Sequence, residues 1–338
     1  MREPQGSRSG ELMQAIVCES EAEGNPLRLE DVDPPELKPG SLRIQVTATA
    51  LNRADLMQRR GFYPPPPGAS PLLGLECSGV VSEVAPEVTG WAKGDRVMAL
   101  LAGGGYAEQV VVDAGSCLRV PEGVDLTEAA ALPEVVLTVF LNVFQLAGLS
   151  EGDWLLVHGG GSGIGTAAIQ MAQAAGARVA VTAGSDEKCE RCRALGADVA
   201  INYREQDFAA ELAKVTQGHG VAVILDSIGG AYLEKNLASL EVGGRLVLIG
   251  LMGGAKAEIS LGQLLMRRLQ VIGSTLRTRT PAEKSALVRG FEQKFGSALQ
   301  TGAIRPIVDR ILPLEEAEEA HRVMQASEHF GKLLLQVG

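Results

Sequence analysis

Apolar positions recur on two length scales along this chain, and the change of scale marks its organisation. In the first third, short runs rich in Val and Ile appear at Gln14–Cys18, Leu42–Ala48, Gly79–Ala85, Asp95–Leu101 and Tyr106–Val112. Pro34-Pro35, Pro39-Gly40, Gly94-Asp95 and Gly103-Gly104-Gly105 punctuate them. Short, closely spaced strands with turn residues between them predict a compact, barrel-like β domain. Tyr63 to Gly68 holds four consecutive prolines. Proline lacks the backbone donor and restricts its predecessor, so this stretch is a stiff surface loop.

The middle of the chain alternates strand and helix. Strands are predicted at Trp154–His158, Arg178–Thr182, Asp198–Asn202, Val221–Asp226, Gly244–Ile249 and Gln270–Ile272. Helices are predicted at Thr166–Ala175, Glu187–Leu195, Phe208–Thr216, Ala231–Leu240 and Leu261–Arg267. That alternation specifies a parallel, doubly wound sheet, so the fold class is α/β. The tail predicts a helix at Ala282–Leu299, a strand at Asp309–Leu312, a helix at Leu314–Ala326 and a strand at Lys332–Gln336, and is expected to rejoin the first domain. The division is a flexible tail at 1–12, a β domain at 13–134, a cofactor-binding domain at 135–273 and a return segment at 274–338.

Between the first strand and helix of the middle section lies Gly159-Gly160-Gly161-Ser162-Gly163-Ile164-Gly165. Its second half, with Thr166-Ala167-Ala168, matches G-x-G-x-x-A. One glycine makes the tight turn, another lets backbone N–H groups approach a pyrophosphate, and the small third residue lets helix and strand pack. The helix N-terminus adds free donors and a positive dipole. A generic βα turn is the alternative reading, but the strand before it and the helix after it favour a dinucleotide. An NAD site places Asp or Glu some 20 residues on, at the second strand tip. Here that tip reads Thr182-Ala183-Gly184-Ser185, without an acid. Ser185, Lys188 and Tyr203 are candidates to hold a 2′-phosphate instead, which favours NADPH. Asp186 is the counter-argument.

Composition narrows the partners. Of 338 residues, 46% are apolar, ordinary for a globular protein, and the formal charge is −10. An acidic chain with two Trp, four Tyr and seven Phe is a poor nucleic-acid binder. No apolar run approaches the length expected of a membrane span. Five scattered Cys suggest reduced thiols and a cytoplasmic setting. Cys189 and Cys192 have C-x-x-C spacing but no partner pair, so they read as helix thiols rather than metal ligands. His158 reads as a packing residue.

Together these features resemble the zinc-free quinone oxidoreductase branch of the medium-chain dehydrogenase/reductase superfamily. The supporting segments are Leu51 to Asp55, Gly74 to Val81, Gly94 to Val97 and Ala130 to Pro133. The runs Asn52 to Arg59 and Gly250 to Gly254 are similar to a narrower group, the tumour-suppressor-induced quinone oxidoreductase homologues. The resemblance implies a GroES-like β-barrel catalytic domain, a Rossmann domain, a cleft between them and a homodimer. It further implies hydride transfer from NADPH to a small-molecule quinone. Zinc-dependent relatives carry Cys and His where Asn52 and Leu75 stand here, and neither of these is a usual zinc ligand.

On this basis Asn52 and Tyr63 are candidates to contact the acceptor, and Ser162 to touch cofactor or substrate. Thr138 matches a nicotinamide contact of the family. Gly160, Gly161, Ser162, Gly163, Ile164 and Gly165 cradle the pyrophosphate. Ile228, Gly250, Leu251, Met252, Thr275 and Leu276 are expected along the nicotinamide half. Lys332 is expected to help hold the 2′-phosphate. Asp55 and Glu76 match acids around the former metal position and read as structural. Two other readings stand beside this one. One is a reductase of activated C=C bonds, which needs an acid to protonate carbon. The other is a cofactor-binding sensor without turnover.

Overall fold

The computed structural model describes residues 12–19 and 24–338. Apart from Leu12, the tail expected at 1–12 lies outside the described residues. Strands β1 (Met13–Cys18) and β2 (Leu27–Val32) form an antiparallel ribbon. They are followed by β3 (Ser41–Ala50), β4 (Glu76–Val84), β5 (Arg96–Leu100), β6 (Gln109–Asp113) and β7 (Cys117–Arg119). The middle section supplies β8 (Trp154–His158), β9 (Arg178–Ala183), β10 (Val199–Asn202), β11 (Val221–Asp226), β12 (Leu240–Leu248) and β13 (Gln270–Gly273). The chain closes with β14 (Val308–Pro313) and β15 (Lys332–Gln336).

The middle strands form one parallel sheet in the order β10-β9-β8-β11-β12-β13. This is the Rossmann order, in which strand progression reverses between β8 and β11 and opens a crevice at the strands' carboxyl ends. The other sheet runs β14-β15-β3-β4-β5-β7, with β6 on β3. β15 is antiparallel to β3, Leu334 facing Ala50, which places the last strand in the barrel sheet.

Nine helices are seen among the described residues: α1 (Arg53–Arg59), α2 (Pro133–Val139), α3 (Gly163–Ala174), α4 (Asp186–Leu195), α5 (Phe208–Val215), α6 (Leu233–Ser239), α7 (Leu261–Arg267), α8 (Pro281–Gln300) and α9 (Ala317–Ala326). Helix α8 buries Leu287, Phe291, Phe295 and Leu299, one residue per turn. Its two rings meet Phe140 and Phe144 edge-on, with centroids 4.9–6.1 Å apart.

Three expectations change. The sequence pattern missed β2, β7 and α1, all short. Strand β12 begins at Leu240, not Gly244, and takes the end of the helix predicted there. One segment, Glu128–Leu146, is after all long and apolar enough to cross a membrane, but 83% of it is buried. It leads through α2 into a wider, π-type turn, where the Ala147 N–H reaches back to the Asn142 carbonyl at 3.2 Å. Its apolarity is that of a helix enclosed by the core.

Strand β4 shows how tightly the barrel is drawn. A Cβ on Gly79 would collide with the backbone carbonyl of Gln45 on β3. Gly79→Ala is expected to lower stability by about 1–3 kcal/mol, the range of an overpacked core. Gly296→Ala, where α8 has open space, should raise it by about 0.5–1 kcal/mol. Urea midpoints of the two variants check the contrast, and equal midpoints contradict the packing.

Candidate functional site

The glycine turn sits at the carboxyl end of β8. The N–H groups of Gly159 and Gly160 donate to the Thr182 carbonyl at 3.1 and 2.8 Å, tying the turn to β9. Ser162 caps α3, its Oγ accepting from the Gly165 N–H at 3.0 Å. The N–H groups of Gly163 and Ile164 precede the helix's own ladder and have no intrahelical acceptor. A Cβ at Gly165 would strike the Gly159 carbonyl, and one at Gly160 would lie 2.6 Å from Val181. The turn therefore needs these glycines, and its open donors fit a pyrophosphate. Ser162, half-buried, is a helix cap here, and its hydroxyl proton finds no acceptor among the described residues.

At the tip of β9, Ser185 caps α4. The Tyr203 hydroxyl lies 2.8 Å from where a Gly184 Cβ would stand, so the phenol covers this tip, 43% exposed. Asp186, the acid that argued for NADH, accepts from Asn202 Nδ2 at 2.9 Å and is held within the fold. Lys188 donates to the Ser327 and His329 carbonyls at 2.7 and 2.9 Å. Burial chiefly, and then the nearby cations Arg191 and Arg204, hold its pKa below the usual lysine value. Arg204, just past the tip, was not singled out from sequence, because its closeness to Lys188 arises only when β9 and β10 pair.

Lys332 corrects its expected role. It is 5% exposed and faces the barrel, not the ribose end. Its Nζ donates to the Leu51 carbonyl (2.6 Å), Asn52 Oδ1 (2.7 Å) and Glu76 Oε1 (2.8 Å). Three acceptors match the three N–H bonds of an ammonium, so none is left for a phosphate. Asn52, 8% exposed, is equally committed: its Nδ2 donates to Glu76 Oε1 at 2.9 Å. It orders the cluster and does not face an acceptor with a free donor.

The cluster extends both ways. Glu76 Oε2 accepts from the Glu134 N–H at 2.8 Å, and Glu134 Oε1 accepts from Thr138 Oγ1 at 2.8 Å. Glu134 is half-buried, and desolvation pushes its carboxyl up to about 7 despite the Lys332 cation. On the other side Asp55 accepts from the Asn52 and Gly74 N–H groups and from Tyr106, and burial pushes it up to about 6. Glu134 was missed because a carboxylate after a helix-starting proline looks like an ordinary first-turn acid. Only the folded cluster makes it a carboxyl titrating near neutrality.

Of the remaining candidates, Ile228 and Gly250 to Met252 follow β11 and β12, Thr275 and Leu276 follow β13, and Tyr63 lies in the proline loop. Loops after these strands lock together through the Met252 N–H to the Ser227 carbonyl and the Gly253 N–H to the Ile228 carbonyl, at 3.1 and 2.7 Å. Gly250 packs against Ser227, while Leu251 and Met252 are more than half exposed. Thr275 Oγ1 bonds Thr278, and Leu276 is buried. Arg277, 5% exposed, binds the Ala102 and Tyr63 carbonyls and Gln58, and its guanidinium lies 5.3 Å from the Tyr63 ring centroid. The proline loop is thereby tied to the return segment. Burial raises the Tyr63 phenol above its ordinary value, making it a poorer acid than Glu134. His158 bonds Thr182 and Asn236, and burial lowers it to about 4, as suits a packing residue.

A Rossmann sheet with a phosphate-ready turn, joined to a β barrel, defines a two-domain oxidoreductase that binds a nicotinamide cofactor. Residues 38–122 match the alcohol dehydrogenase GroES-like domain and residues 163–292 the zinc-binding dehydrogenase domain. The chain belongs to the medium-chain dehydrogenase/reductase superfamily. It is 32% identical over 314 residues to the quinone oxidoreductase-like protein 2 of Bos taurus, spanning 92% of this chain and 89% of that one. It is 31% identical to a mycocerosic acid synthase-like polyketide synthase of Mycobacterium tuberculosis over 88% of this chain, but spans only 14% of that protein's length. Among solved structures, the CurK enoyl reductase superposes with a TM-score of 0.84 at 28% identity, covering 97% of this chain and all of that one. A mycobacterial protein complexed with NADPH superposes with a TM-score of 0.83 at 31% identity, over 96% and 99% of the two chains.

The residues here do not fit the zinc of the second domain's description. Among the described residues no group of three or more His, Cys, Asp and Glu is placed to hold a metal ion. An ammonium is instead bonded to Asn52, at one of the two positions where metal-dependent relatives place ligands. Removing that ammonium strands Glu76, which is fully buried. Lys332→Met should cost about 3–5 kcal/mol, the usual penalty for breaking a buried pair. Lys332→Met with Glu76→Gln should recover much of it. A urea double-mutant cycle measures the coupling, and additive losses contradict the assignment.

Proposed function

We propose that this protein is an NADPH-dependent quinone reductase of the zinc-free branch. The observation that carries the reading is the buried Lys332–Asn52–Glu76 cluster, a fixed cation with every donor used. A quinone suits such a cleft: its first reduced form is a stabilised oxyanion, so orientation and polar contacts suffice without a Lewis acid. Bound NADPH supplies the hydride. The open donors of the glycine turn hold the pyrophosphate, and Tyr203, Ser185, Lys188 and Arg204 favour a 2′-phosphate while Asp186 is withdrawn onto Asn202. Thr138, bonded to Glu134, would meet the nicotinamide, and the Tyr63 loop, clamped by Arg277, would shape the acceptor side. The likenesses to a quinone oxidoreductase-like protein and to an NADPH complex support this reading.

Reduction of an activated C=C bond is the second reading, favoured by Glu134. That reaction must protonate carbon, and a carboxyl titrating near 7 holds a proton for it. The likeness to an enoyl reductase points the same way.

We also propose a homodimer through the β13 edge. Among the described residues this strand pairs only with β12, and beside it Leu261, Leu265 and Met266 are 71%, 77% and 79% exposed. An unpaired edge with apolar neighbours is a template for a second copy. Light scattering on purified protein is expected to give twice the 35.5 kDa chain mass. Leu265→Lys with Met266→Lys should return the monomer.

The deciding assay follows NADPH and NADH oxidation with an ortho-quinone, a para-quinone and an enone. NADPH-preferred quinone turnover is expected, and tight NADPH binding without turnover of any acceptor contradicts both enzyme readings. Glu134→Gln separates the two. Its acid form is present below about pH 7 and is lost as pH rises through that value. The variant should lower any enone turnover by about 100-fold or more and remove its fall above neutral pH. Quinone turnover should change by less than about threefold, because solvent protonates a hydroquinone oxyanion.

A further inference from the structure

The turn from Ser327 to Gly331, between α9 and β15, lies against both the glycine turn and α4. The Gly331 N–H donates to the Gly161 carbonyl at 2.8 Å, and Gly331 forms a parallel bridge with Ser162. The Phe330 ring packs at Gly161, 3.1 Å from where a Cβ there would stand. The Arg191 guanidinium of α4 lies 4.0 Å from the centroid of the same ring, a cation–π contact. Asp309 Oδ1 accepts from the Phe330 N–H at 2.9 Å. At the other end of the turn, Ser327 Oγ accepts from Arg53 Nη2 of α1 at 3.2 Å. Barrel, return segment and cofactor domain all hold these five residues.

What the turn offers in return is main-chain carbonyls. Those of Ser327 and His329 accept from Lys188 Nζ at 2.7 and 2.9 Å. An ammonium has three N–H bonds, and the third meets no acceptor among the described residues. Lys188 thus differs from Lys332, whose three bonds are all taken. A free lysine loses rotamer freedom when it grips an anion, whereas one already anchored has lost much of it. Two anchors leave Lys188 a single directed donor, with Arg191 and Arg204 within electrostatic reach. The anchoring depends on an unusual backbone angle. Ser327 has φ 56° and ψ 36°, the left-handed region where glycine is common and a β-branched residue is strained.

We propose that the α9–β15 turn is a specificity element for the cofactor: its Ser327 and His329 carbonyls position Lys188 for a 2′-phosphate. The inference rests on the NADPH reading above and adds to it a backbone segment 139 residues from Lys188 in the chain. Ser327 is a positioning residue here, acting through Lys188 and not on the cofactor. Coupling of this kind is reciprocal. If the turn steadies the lysine for the phosphate, the phosphate steadies the turn.

The test is isothermal titration of the full chain with adenosine 2′,5′-bisphosphate and with AMP, which lacks the 2′-phosphate. The wild type is expected to favour the bisphosphate by about tenfold or more, the worth of a charge-assisted hydrogen bond. Ser327→Val disfavours the left-handed angle and shifts the carbonyls, so it should cut that preference to about twofold while leaving AMP binding unchanged. Ser327→Gly keeps the angle and loses only the Oγ bond to Arg53, so it should retain the wild-type preference. Hydrogen exchange on the wild type needs no variant to fold. The Phe330 and Gly331 amides should exchange several-fold more slowly with saturating bisphosphate than with saturating AMP. A wild type without preference overturns the NADPH reading and this inference together. With the wild-type preference present, the inference alone is overturned by a folded Ser327→Val that keeps it, by a Ser327→Gly that loses it, or by equal exchange with both ligands.

Discussion

The ammonium of Lys332 joins three parts of the chain that are far apart in sequence. Its backbone belongs to β15, the last strand of the return segment. Its stem packs where a Gly163 side chain would stand, at the start of the cofactor helix. Its head is bonded by Leu51, Asn52 and Glu76 of the barrel. A buried pair of this kind adds little net stability, because desolvation offsets much of the Coulomb gain. What it does impose is a register: the pair is satisfied only when barrel, glycine turn and last strand sit together. The neighbouring Gly331 N–H, which donates to the Gly161 carbonyl at 2.8 Å, fixes the same junction through the backbone.

That junction sets the glycine turn beside the buried cluster of the barrel. Glu134 lies one bond from Glu76 through its backbone and one bond from Thr138 through its side chain. Its proton therefore responds to the charge of Lys332 on one side and to the helix lining the cleft on the other. Desolvation raises the carboxyl and the ammonium lowers it, leaving it near neutrality. Helix α2 owes its position to the Phe140, Phe144, Phe291 and Phe295 cluster, so apolar packing sets where this acid stands. The wider turn that ends the segment lets both Phe140 and Phe144 reach that cluster.

The fold was legible in the sequence where a pattern is local. The βα alternation from Trp154 to Ile272 and the glycine turn specified the Rossmann sheet, and the apolar run at Lys332–Gln336 specified the last strand. Boundaries failed where tertiary pairing decides, as at β12, whose first residues follow β11 beyond their own propensity. Site residues divided the same way. The turn glycines and Ser185 are read from spacing. Lys332 was not, because a lysine in a strand gives no sign of which neighbour it faces. A surface ribose contact and a buried pair with Glu76 look identical until β15 is laid beside β3. Asn52 was misjudged for the same reason: its amide looks free until both its ends find partners.

A buried ammonium and a metal ion differ in what they leave open. A catalytic metal keeps a position vacant for substrate and polarises what binds there. Lys332 is saturated by its three acceptors, so its field reaches the cleft but no lone pair can join it. Chemistry in such a site falls to groups that are not saturated, here the Glu134 carboxyl and the Tyr63 phenol. Between them the phenol is raised by burial and holds its proton, while the carboxyl can both lose and regain one near neutral pH. With a saturated cation rather than a Lewis acid on its barrel side, the cleft can supply orientation, polar contacts and, where carbon must be protonated, the Glu134 proton. Acceptors that need little activation gain most from that arrangement.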